Sequence, residues 1–188
     1  MKKILVLDNY DSFTYNLVHI IHEQGHETDV IRNDEISVDE VADYNKILLS
    51  PGPGLPKNAG IMPELLRRYR STKNILGVCL GHQAIAESYG AALYNLPKVF
   101  HGIVTEINVE KEDAIFQDIP KEFKACRYHS WVINDENLPK EILVTSRDTA
   151  ETIMSIKHKI DNVRGVQFHP ESIMTEHGKQ LIKNWIEL

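Results

Sequence analysis

Continuous apolar runs alternate with amphipathic stretches along the first half of the chain. Ile4–Leu7 and Ile47–Leu49 are uninterrupted apolar runs, a pattern typical of strands that are buried on both faces of a sheet. Between them, apolar residues at helical spacing over 13–24 predict a helix that Gly25 ends, and Thr28–Arg32 predicts another strand. Because strands and helices that alternate through short connections favour parallel pairing, this half predicts a doubly wound α/β sheet.

The same patterns predict the remaining elements. Before residue 90 they give a polar helix, a second helix, a strand and a third helix, at Ser37–Asp43, Pro63–Tyr69, 74–78 and about Gln83–Tyr89. Segments that alternate only in part then predict a small antiparallel excursion: Ala91–Tyr94, Gly102–Val109, Lys124–Val132, Ile142–Ser146 and Thr152–Lys157. A buried strand and a helix follow, at Val163–Phe168 and about Thr175–Ile186. Residues 1–188 are therefore expected to form a single domain with a mostly parallel sheet.

Composition narrows the class of protein. The chain has 188 residues, 42% apolar and 26% charged, and its net charge of −6 argues against a nucleic-acid-binding surface. Two cysteines, Cys79 and Cys126, do not suggest a disulfide scaffold. The basic start Met1–Lys3 precedes an apolar run that stops at Asp8, which is too short for a signal peptide or a membrane span. A reducing cytoplasm is the expected compartment.

The stretch 74–83 carries the strongest chemical signal. Its pattern Gly77-x-Cys79-x-Gly81 copies the Gly-x-Ser-x-Gly nucleophile elbow, with a thiol in place of the hydroxyl. Glycines permit a tight strand-to-helix turn, and a helix N-terminus beside the sulfur favours the thiolate. Leu80 offers a backbone N–H where an oxyanion would form. By itself, the pattern fits a buried, unreactive cysteine equally well.

Unusual residues follow the predicted strands at their carboxyl ends, where sites form in open α/β sheets. The polar residues 8–10 follow the first strand, Ser50–Pro56 follows the third and Cys79 follows the fourth. In Ser50–Pro56, three prolines stiffen the backbone while Gly52 and Gly54 leave it open to close approach. We therefore interpret this segment as a rigid shelf of N–H groups, in preference to an ordinary turn.

A base for the cysteine is expected near the end of the chain. His169 follows a predicted buried strand and precedes Pro170, which favours an extended backbone. Residues two apart in an extended segment point the same way, so His169 and Glu171 are predicted to project together. Glu171 can then bind one ring nitrogen and leave the other for Cys79, which is the logic of a catalytic triad.

Other histidines and the second cysteine are given lesser roles. His19, His22 and His26 have the spacing of a helical metal site, but Gly25 interrupts the helix before His26 and no cysteine or acid in a fixed position completes the set. We expect a solvated face there and no metal. His82 is expected to cap or pack rather than polarise the site, and Cys126 is expected to be a small core residue.

Five stretches together resemble the class I glutamine amidotransferase family, and the resemblance covers essentially the whole chain. They are 8–16 (DNYDSFTYN), 50–54 (SPGPG), 77–83 (GVCLGHQ), 127–130 (RYHS) and 165–172 (GVQFHPES). The first and fourth are similar to the subgroup that serves chorismate enzymes, namely component II of anthranilate synthase and of aminodeoxychorismate synthase. Trp131 departs from the family pattern, in which an aliphatic residue is more usual.

The resemblance implies a flavodoxin-like fold and a role for each matching residue. Cys79 would attack the side-chain amide of L-glutamine, His169 would act as base and then acid, and Glu171 would orient the ring. Ammonia would leave first, and water would then hydrolyse the glutamyl thioester without a cofactor in this subunit. Backbone N–H groups of Gly52 and Leu80 would hold the oxyanion. The implied substrate-binding residues are Gly52, Pro53, Gly54, Leu80, Gln83, Ser130 and Trp131.

The resemblance also implies a partner, a chorismate-aminating subunit of the anthranilate synthase component I type. It would receive ammonia for tryptophan biosynthesis, and the equivalent folate subunit of aminodeoxychorismate synthase is the alternative. We expect the partner to dock over the elbow side and to stimulate hydrolysis by ordering Pro51–Pro56. Two rivals are a stand-alone Cys-elbow hydrolase and a flavodoxin-like binding or regulatory module in which Asp8 and the first loop hold a phosphate or a nucleotide. The second is weak because no Gly-rich phosphate loop follows the first strand.

Overall fold

The apolar runs of the first half of the chain form neighbouring strands of one sheet in the computed structural model, which describes residues 3–188. Met1 and Lys2, part of the basic start considered above, lie outside the described residues. The strands are β1 (Ile4–Asp8), β2 (Thr28–Arg32), β3 (Lys46–Leu49), β4 (Asn74–Val78), β5 (Leu93–Asn95), β6 (Ile103–Val109), β7 (Glu122–Arg127), β8 (Trp131–Ile133), β9 (Ile142–Asp148), β10 (Ile153–His158) and β11 (Val163–Val166). The α-helices are α1 (Thr14–Glu23), α2 (Met62–Tyr69), α3 (Leu80–Ser88) and α4 (Gly178–Glu187).

Strand order places the ends of β1, β3, β4 and β11 along one edge. Within residues 3–188, nine strands form one sheet in the order β2-β1-β3-β4-β11-β10-β9-β6-β7. The first five of these strands are mutually parallel. The register pairs Gly77 of β4 with Gly165 of β11, so the two chains that carry Cys79 and His169 run side by side. The predicted doubly wound α/β fold is confirmed.

Both faces of the parallel strands are buried, which explains their continuous apolar sequences. Along β1, Leu5 and Leu7 join a core cluster with residues of α2 and α3. Ile4 and Val6 join the opposite cluster with residues of α1 and α4. Trp185 of α4 anchors the second layer, since its indole N–H donates to Oδ1 of Asn74 at 2.8 Å.

The predicted antiparallel excursion lies at one edge of the same sheet. β10, β9, β6 and β7 continue beyond β11 with antiparallel pairing, while β5 and β8 form a separate ribbon. The single strand predicted over Lys124–Val132 is wrong, because β7 ends at Arg127 and β8 begins at Trp131. Residues 128–130 between them bond instead to a neighbouring loop: Phe100 donates its N–H to the His129 carbonyl, and Leu96 donates to that of Ser130.

Several helix boundaries also differ from the prediction. Over Ser37–Asp43, the structure has only a 3-10 turn at Glu40–Asp43. The helix predicted from about Thr175 begins at Gly178, because Thr175 Oγ1 accepts from the Cys126 N–H and Glu176 donates to the Lys124 carbonyl. These bonds tie the preceding residues to β7. The elbow helix begins at Leu80 rather than near Gln83, which brings its N-terminus directly beside Cys79.

Candidate active site

Cys79 lies on a strained turn between β4 and α3. Its backbone has φ +51° and ψ −97°, a conformation that costs a non-glycine residue of order 1–3 kcal/mol and is found at nucleophile elbows. Its N–H donates to the Val166 carbonyl at 2.8 Å, and its carbonyl accepts from Gln83 at 3.1 Å. The turn is therefore held by both the sheet and the helix.

The flanking glycines are required by close backbone contacts. A Cβ on Gly77 would lie 2.4 Å from the carbonyl carbon of Gly81, and a Cβ on Gly81 would lie 2.5 Å from the Leu49 oxygen. Neither gap can hold a methyl group without backbone movement. The Gly-x-Cys-x-Gly pattern thus has a direct steric explanation in the packing of α3 against the strands.

His169 and Glu171 are held together beyond the end of β11. The His169 N–H donates to the Cys126 carbonyl at 3.0 Å, and its Nδ1 lies 2.6 Å from Glu171 Oε1. Both side chains are almost completely buried. Since Nδ1 is taken by the carboxylate, Nε2 is the nitrogen left to interact with Cys79. Nε2 has no hydrogen-bond partner among the described residues. Catalytic hydrogen bonds are often long or poorly aligned before substrate binds.

The charge state of His169 follows from these neighbours. Burial alone would lower the pKa of His169, but its interactions with Cys79 and Glu171 raise that pKa well above its usual value. The protonated form of the His169 ring is therefore favoured. The arrangement can deliver a proton to a leaving group and take one back from water.

Asn9 holds the segment Ser50–Pro56, the predicted shelf of N–H groups, in place through hydrogen bonds to Ser50. The Asn9 carboxamide donates to the Ser50 carbonyl at 2.8 Å, and the Asn9 N–H donates to Ser50 Oγ at 2.8 Å. A Cβ on Gly52 would lie 2.6 Å from the Asn9 carbonyl oxygen and 2.9 Å from Cδ2 of Leu80. Leu80 is the first residue of α3, so its N–H has no acceptor inside the helix. The two predicted oxyanion donors therefore come from residues in mutual contact.

A cavity of about 260 Å³ opens above the sulfur. All seven predicted substrate-binding residues line it together with Cys79: Gly52, Pro53, Gly54, Leu80, Gln83, Ser130 and Trp131. A larger cavity of about 630 Å³ lies near Val109–Lys121, but it contains none of these residues. The smaller cavity is the candidate site because it is the one that reaches the sulfur.

Three further residues of the site were not among the predicted ones. Tyr128 and His129 line the cavity, and the Tyr128 ring lies 5.0 Å from that of His169 in an edge-on contact. Gln167 is fully buried and donates from Nε2 to the Cys79 sulfur at 3.5 Å. The alternation used for His169 and Glu171, continued one step back, would have pointed to Gln167.

A buried ion pair supports the wall formed by residues 128–131. Arg127 is fully buried, pairs with Asp148 of β9 and donates from Nε to His129 Nε2 at 3.0 Å. Phe100 covers the guanidinium, with the ring centroid 3.9 Å from its central carbon. Burial and the charge of Arg127 lower the pKa of His129 to about 3, so this ring is neutral and accepts the Arg127 hydrogen.

The groups given lesser roles lie as follows. His82 is fully buried, and burial lowers its pKa to about 3; a Cβ on Gly165 would lie 2.7 Å from its Nδ1. Cys126 is buried in β7. Asp8 accepts from the Thr14 hydroxyl at 2.8 Å and so holds the first loop.

Across residues 3–188, no three histidine, cysteine or acidic side chains are grouped to hold a metal ion, and no helix is long and apolar enough to cross a membrane.

Comparison with known proteins gives one family. The model of the family "Glutamine amidotransferase class-I" matches residues 5–188. Anthranilate synthase component 2 of Porphyra purpurea is 44% identical over 98% of each chain. Aminodeoxychorismate/anthranilate synthase component 2 of Bacillus subtilis is 42% identical over 98% of this chain and 95% of its own.

A solved structure agrees with the sequence comparison. A protein of Thermoplasma acidophilum, described as part of a GMP synthase, superposes with a TM-score of 0.89 at 27% identity. The match covers 100% of this chain and 93% of that one. The likeness therefore extends over the antiparallel strands as well as the parallel ones.

Proposed function

The chain belongs to the class I glutamine amidotransferase family, and we propose from this premise that Cys79, His169 and Glu171 hydrolyse L-glutamine and pass ammonia to a chorismate-using partner. The observation that carries the proposal is the His169 ring, which bonds Glu171 through Nδ1 and interacts with Cys79 beneath a cavity. Residues 1–188 would act as one glutaminase domain in a reducing cytoplasm, where the thiol stays free.

The reaction would proceed in two halves. The Cys79 thiolate attacks the side-chain carbonyl carbon of glutamine, and the N–H groups of Gly52 and Leu80 bind the resulting oxyanion. His169 gives its proton to the amide nitrogen, which leaves as ammonia when the C–N bond breaks. Water then attacks the thioester and gives a proton to His169, the C–S bond breaks, and glutamate is released as the Cys79 thiolate and the protonated His169 are restored.

The cavity suits a substrate of amino-acid size. Its volume of about 260 Å³ lies just below the roughly 300–1,000 Å³ of pockets that hold drug-sized ligands. Gln83 and Ser130 present polar groups on its wall, while Trp131 is half-buried there with its carbonyl accepting from Gln83 at 2.8 Å. A single glutamine with its side chain directed at Cys79 is the ligand we propose.

Relatives named component 2 support a partner subunit. Ammonia at neutral pH is mostly ammonium, which is not a nucleophile, so a sealed path to chorismate makes chemical sense. The exposed apolar side chains beside the site suit a docking face: they are Tyr10, Phe13, Tyr15, Ile173 and Met174. The Phe13 ring lies 6.3 Å from that of His169, so this face adjoins the catalytic groups.

Covalent labelling tests the catalytic part of the proposal. A reactive glutamine analogue is expected to label Cys79 in the wild type and to leave Cys79→Ser unlabelled, as read by mass spectrometry of the digested chain. Cys126→Ser is the matched control, because Cys126 is buried and does not line the cavity, so its loss should leave labelling intact. Labelling of Cys79→Ser, or none in the wild type, would contradict the proposal.

Reconstitution tests the partner. Glutaminase rates are measured alone and with component I of anthranilate synthase or of aminodeoxychorismate synthase, with the aminated product assayed in parallel. We expect stimulation and glutamine-dependent amination with the anthranilate enzyme. Stimulation by the aminodeoxychorismate enzyme alone would move the chain to folate biosynthesis. Rates that neither component changes would favour a stand-alone hydrolase.

A further inference from the structure

We propose that Gln167 is a further catalytic residue, which donates a hydrogen bond to the Cys79 sulfur and stabilises its thiolate. The inference rests on the proposed function, because it takes Cys79 as the nucleophile. It adds a contact on the reacting atom that neither the triad nor the oxyanion donors supply. Gln167 Nε2 lies 3.5 Å from Sγ, within the range of hydrogen bonds to sulfur.

The orientation of the Gln167 carboxamide follows from its neighbours. The Trp131 carbonyl can only accept, so the group of Gln83 that lies 2.8 Å from it must be the amide nitrogen. The same nitrogen lies 3.2 Å from Gln167 Oε1 and donates its second hydrogen there. Gln167 must then direct its own nitrogen toward Cys79. A relay of two carboxamides thus runs from the backbone at the cavity wall to the sulfur.

Burial of the sulfur increases the effect of the Gln167 hydrogen bond on the thiolate. Gln167 is 0% exposed and Cys79 is 5% exposed, so water contributes little to the solvation of a thiolate at this position. A buried anion without donors is strongly disfavoured, whereas hydrogen bonds to charged groups are stronger than neutral ones. The carboxamide is uncharged at every working pH, so its contribution does not depend on a further titration.

The Gln167 hydrogen bond also complements the role of His169 during the reaction. His169 releases its proton to the leaving group during the reaction, and its attraction for the thiolate changes at that step. Gln167 keeps its hydrogen throughout, so the sulfur retains one donor when the thioester breaks and the thiolate leaves. We therefore expect Gln167 to act in both halves of the reaction, mainly on kcat.

The test is the pH dependence of Cys79 alkylation by iodoacetamide, with the labelled cysteine assigned by mass spectrometry. Gln167→Met removes the donor at similar volume. Its alkylation midpoint is expected to move up by about one pH unit, the equivalent of a tenfold shift in the thiolate equilibrium. The acid limb of kcat/KM should move by the same amount. An unchanged midpoint would overturn the inference.

Two further variants separate this role from a structural one. Asn184→Leu removes another buried carboxamide, which bonds the Ile115 and Gln117 carbonyls from its place on α4, and should leave the midpoint unchanged. Should Gln167→Met not fold, Gln167→Glu replaces the donor by a charge and is expected to raise the midpoint further. A lowered or unchanged midpoint in Gln167→Glu would contradict the inference. Alkylation requires no glutamine, so failure of the proposed function would appear separately, as absent wild-type glutaminase activity.

Discussion

In the parallel half of the sheet, β1, β3, β4 and β11 all end at one edge, whereas in the antiparallel half strand direction alternates, so that β9 and β7 end at this edge while β10 and β6 begin there. Parallel strands deliver Asn9, Gly52, Cys79 and His169 by direct continuation of the chain. In the antiparallel half, β7 ends at this edge, and the chain then leaves the ladder after Arg127 to place residues 128–131 against the cavity. The parallel half of the sheet carries the proposed chemistry, and the antiparallel half provides one wall of the cavity.

The two halves also differ in what stabilises them. The parallel half is apolar on both faces, while the antiparallel corner depends on a buried charge pair between Arg127 and Asp148. An apolar core tolerates small changes in volume, but a buried ion that loses its partner is strongly disfavoured. We therefore expect variants in the parallel half to affect turnover and variants in the antiparallel corner to affect folding.

Removal of the proposed base should have the largest effect. His169→Ala is expected to lower glutaminase kcat by about 10⁴-fold, because the thiolate loses its counter-charge and the leaving group its proton donor. Steady-state glutamate release measures this, with circular dichroism to confirm folding. Activity within tenfold of the wild type would show that the parallel strand ends do not carry the chemistry.

Breaking the ion pair should have the next largest effect, on stability. Arg127→Met leaves Asp148 charged and buried, so the free energy of unfolding in urea is expected to fall by about 3–5 kcal/mol. Adding Asp148→Asn to this variant removes the unpaired carboxylate charge and keeps a side-chain oxygen that accepts from the N–H groups of Ala150 and Thr152. The double variant should recover most of the loss. Equal losses in the single and double variants would mean that packing, rather than charge, holds this corner.

Displacing the shelf should act on turnover with less effect on substrate affinity. In Gly52→Ala the new methyl group overlaps Asn9 and Leu80, so the proposed oxyanion donor would move and kcat should fall by about 10²–10³-fold. Gly90→Ala is the control, because Gly90 has a positive φ of 98° but no described atom lies within 4 Å of the position that its new methyl group would take. Equal losses of activity in both variants would indicate general strain instead.

Counted per pH unit and per residue, the effect of pH is the smallest, and here both halves behave alike. His82 and His129 have folded-state pKa values of about 3 against 6.5 when unfolded, so the unfolded chain binds more protons below pH 6.5. Stability should therefore fall as pH drops from 6.5 toward 3, by about 1.4 kcal/mol per pH unit for each ring.

His82→Met isolates one of these two contributions. Its unfolding free energy, measured in urea at pH 7, 6 and 5, should fall less steeply than that of the wild type. His19→Ala serves as the control, since it removes a histidine that is exposed on α1, where burial cannot cause a change in slope. Parallel curves for wild type and His82→Met would show that the buried ring takes up a proton without unfolding.

The parallel half was predicted well because its signals are local. Continuous apolar runs mark strands buried on both faces, and β1, β3 and β4 lie within a residue or two of the predicted positions. The need for glycine at Gly77 and Gly81 could likewise be predicted, because the Gly-x-Cys-x-Gly pattern lies within five consecutive residues. Prediction failed at Lys124–Val132, where apolar alternation continues through a break that the Arg127–Asp148 pair and loop bonds to Phe100 and Leu96 impose.

By itself the sequence determined the α/β class, the cysteine elbow and the candidate partners His169 and Glu171, because these depend on short-range spacing and residue type. Only the tertiary structure decided which groups meet at the sulfur. Gln167 bonds a cysteine 88 positions away, and its orientation is set by Gln83 and the Trp131 carbonyl from two other elements. Such contacts depend on the strand order and on burial, since hydrogen-bond partners in a dry interior are chosen by proximity in space rather than along the chain.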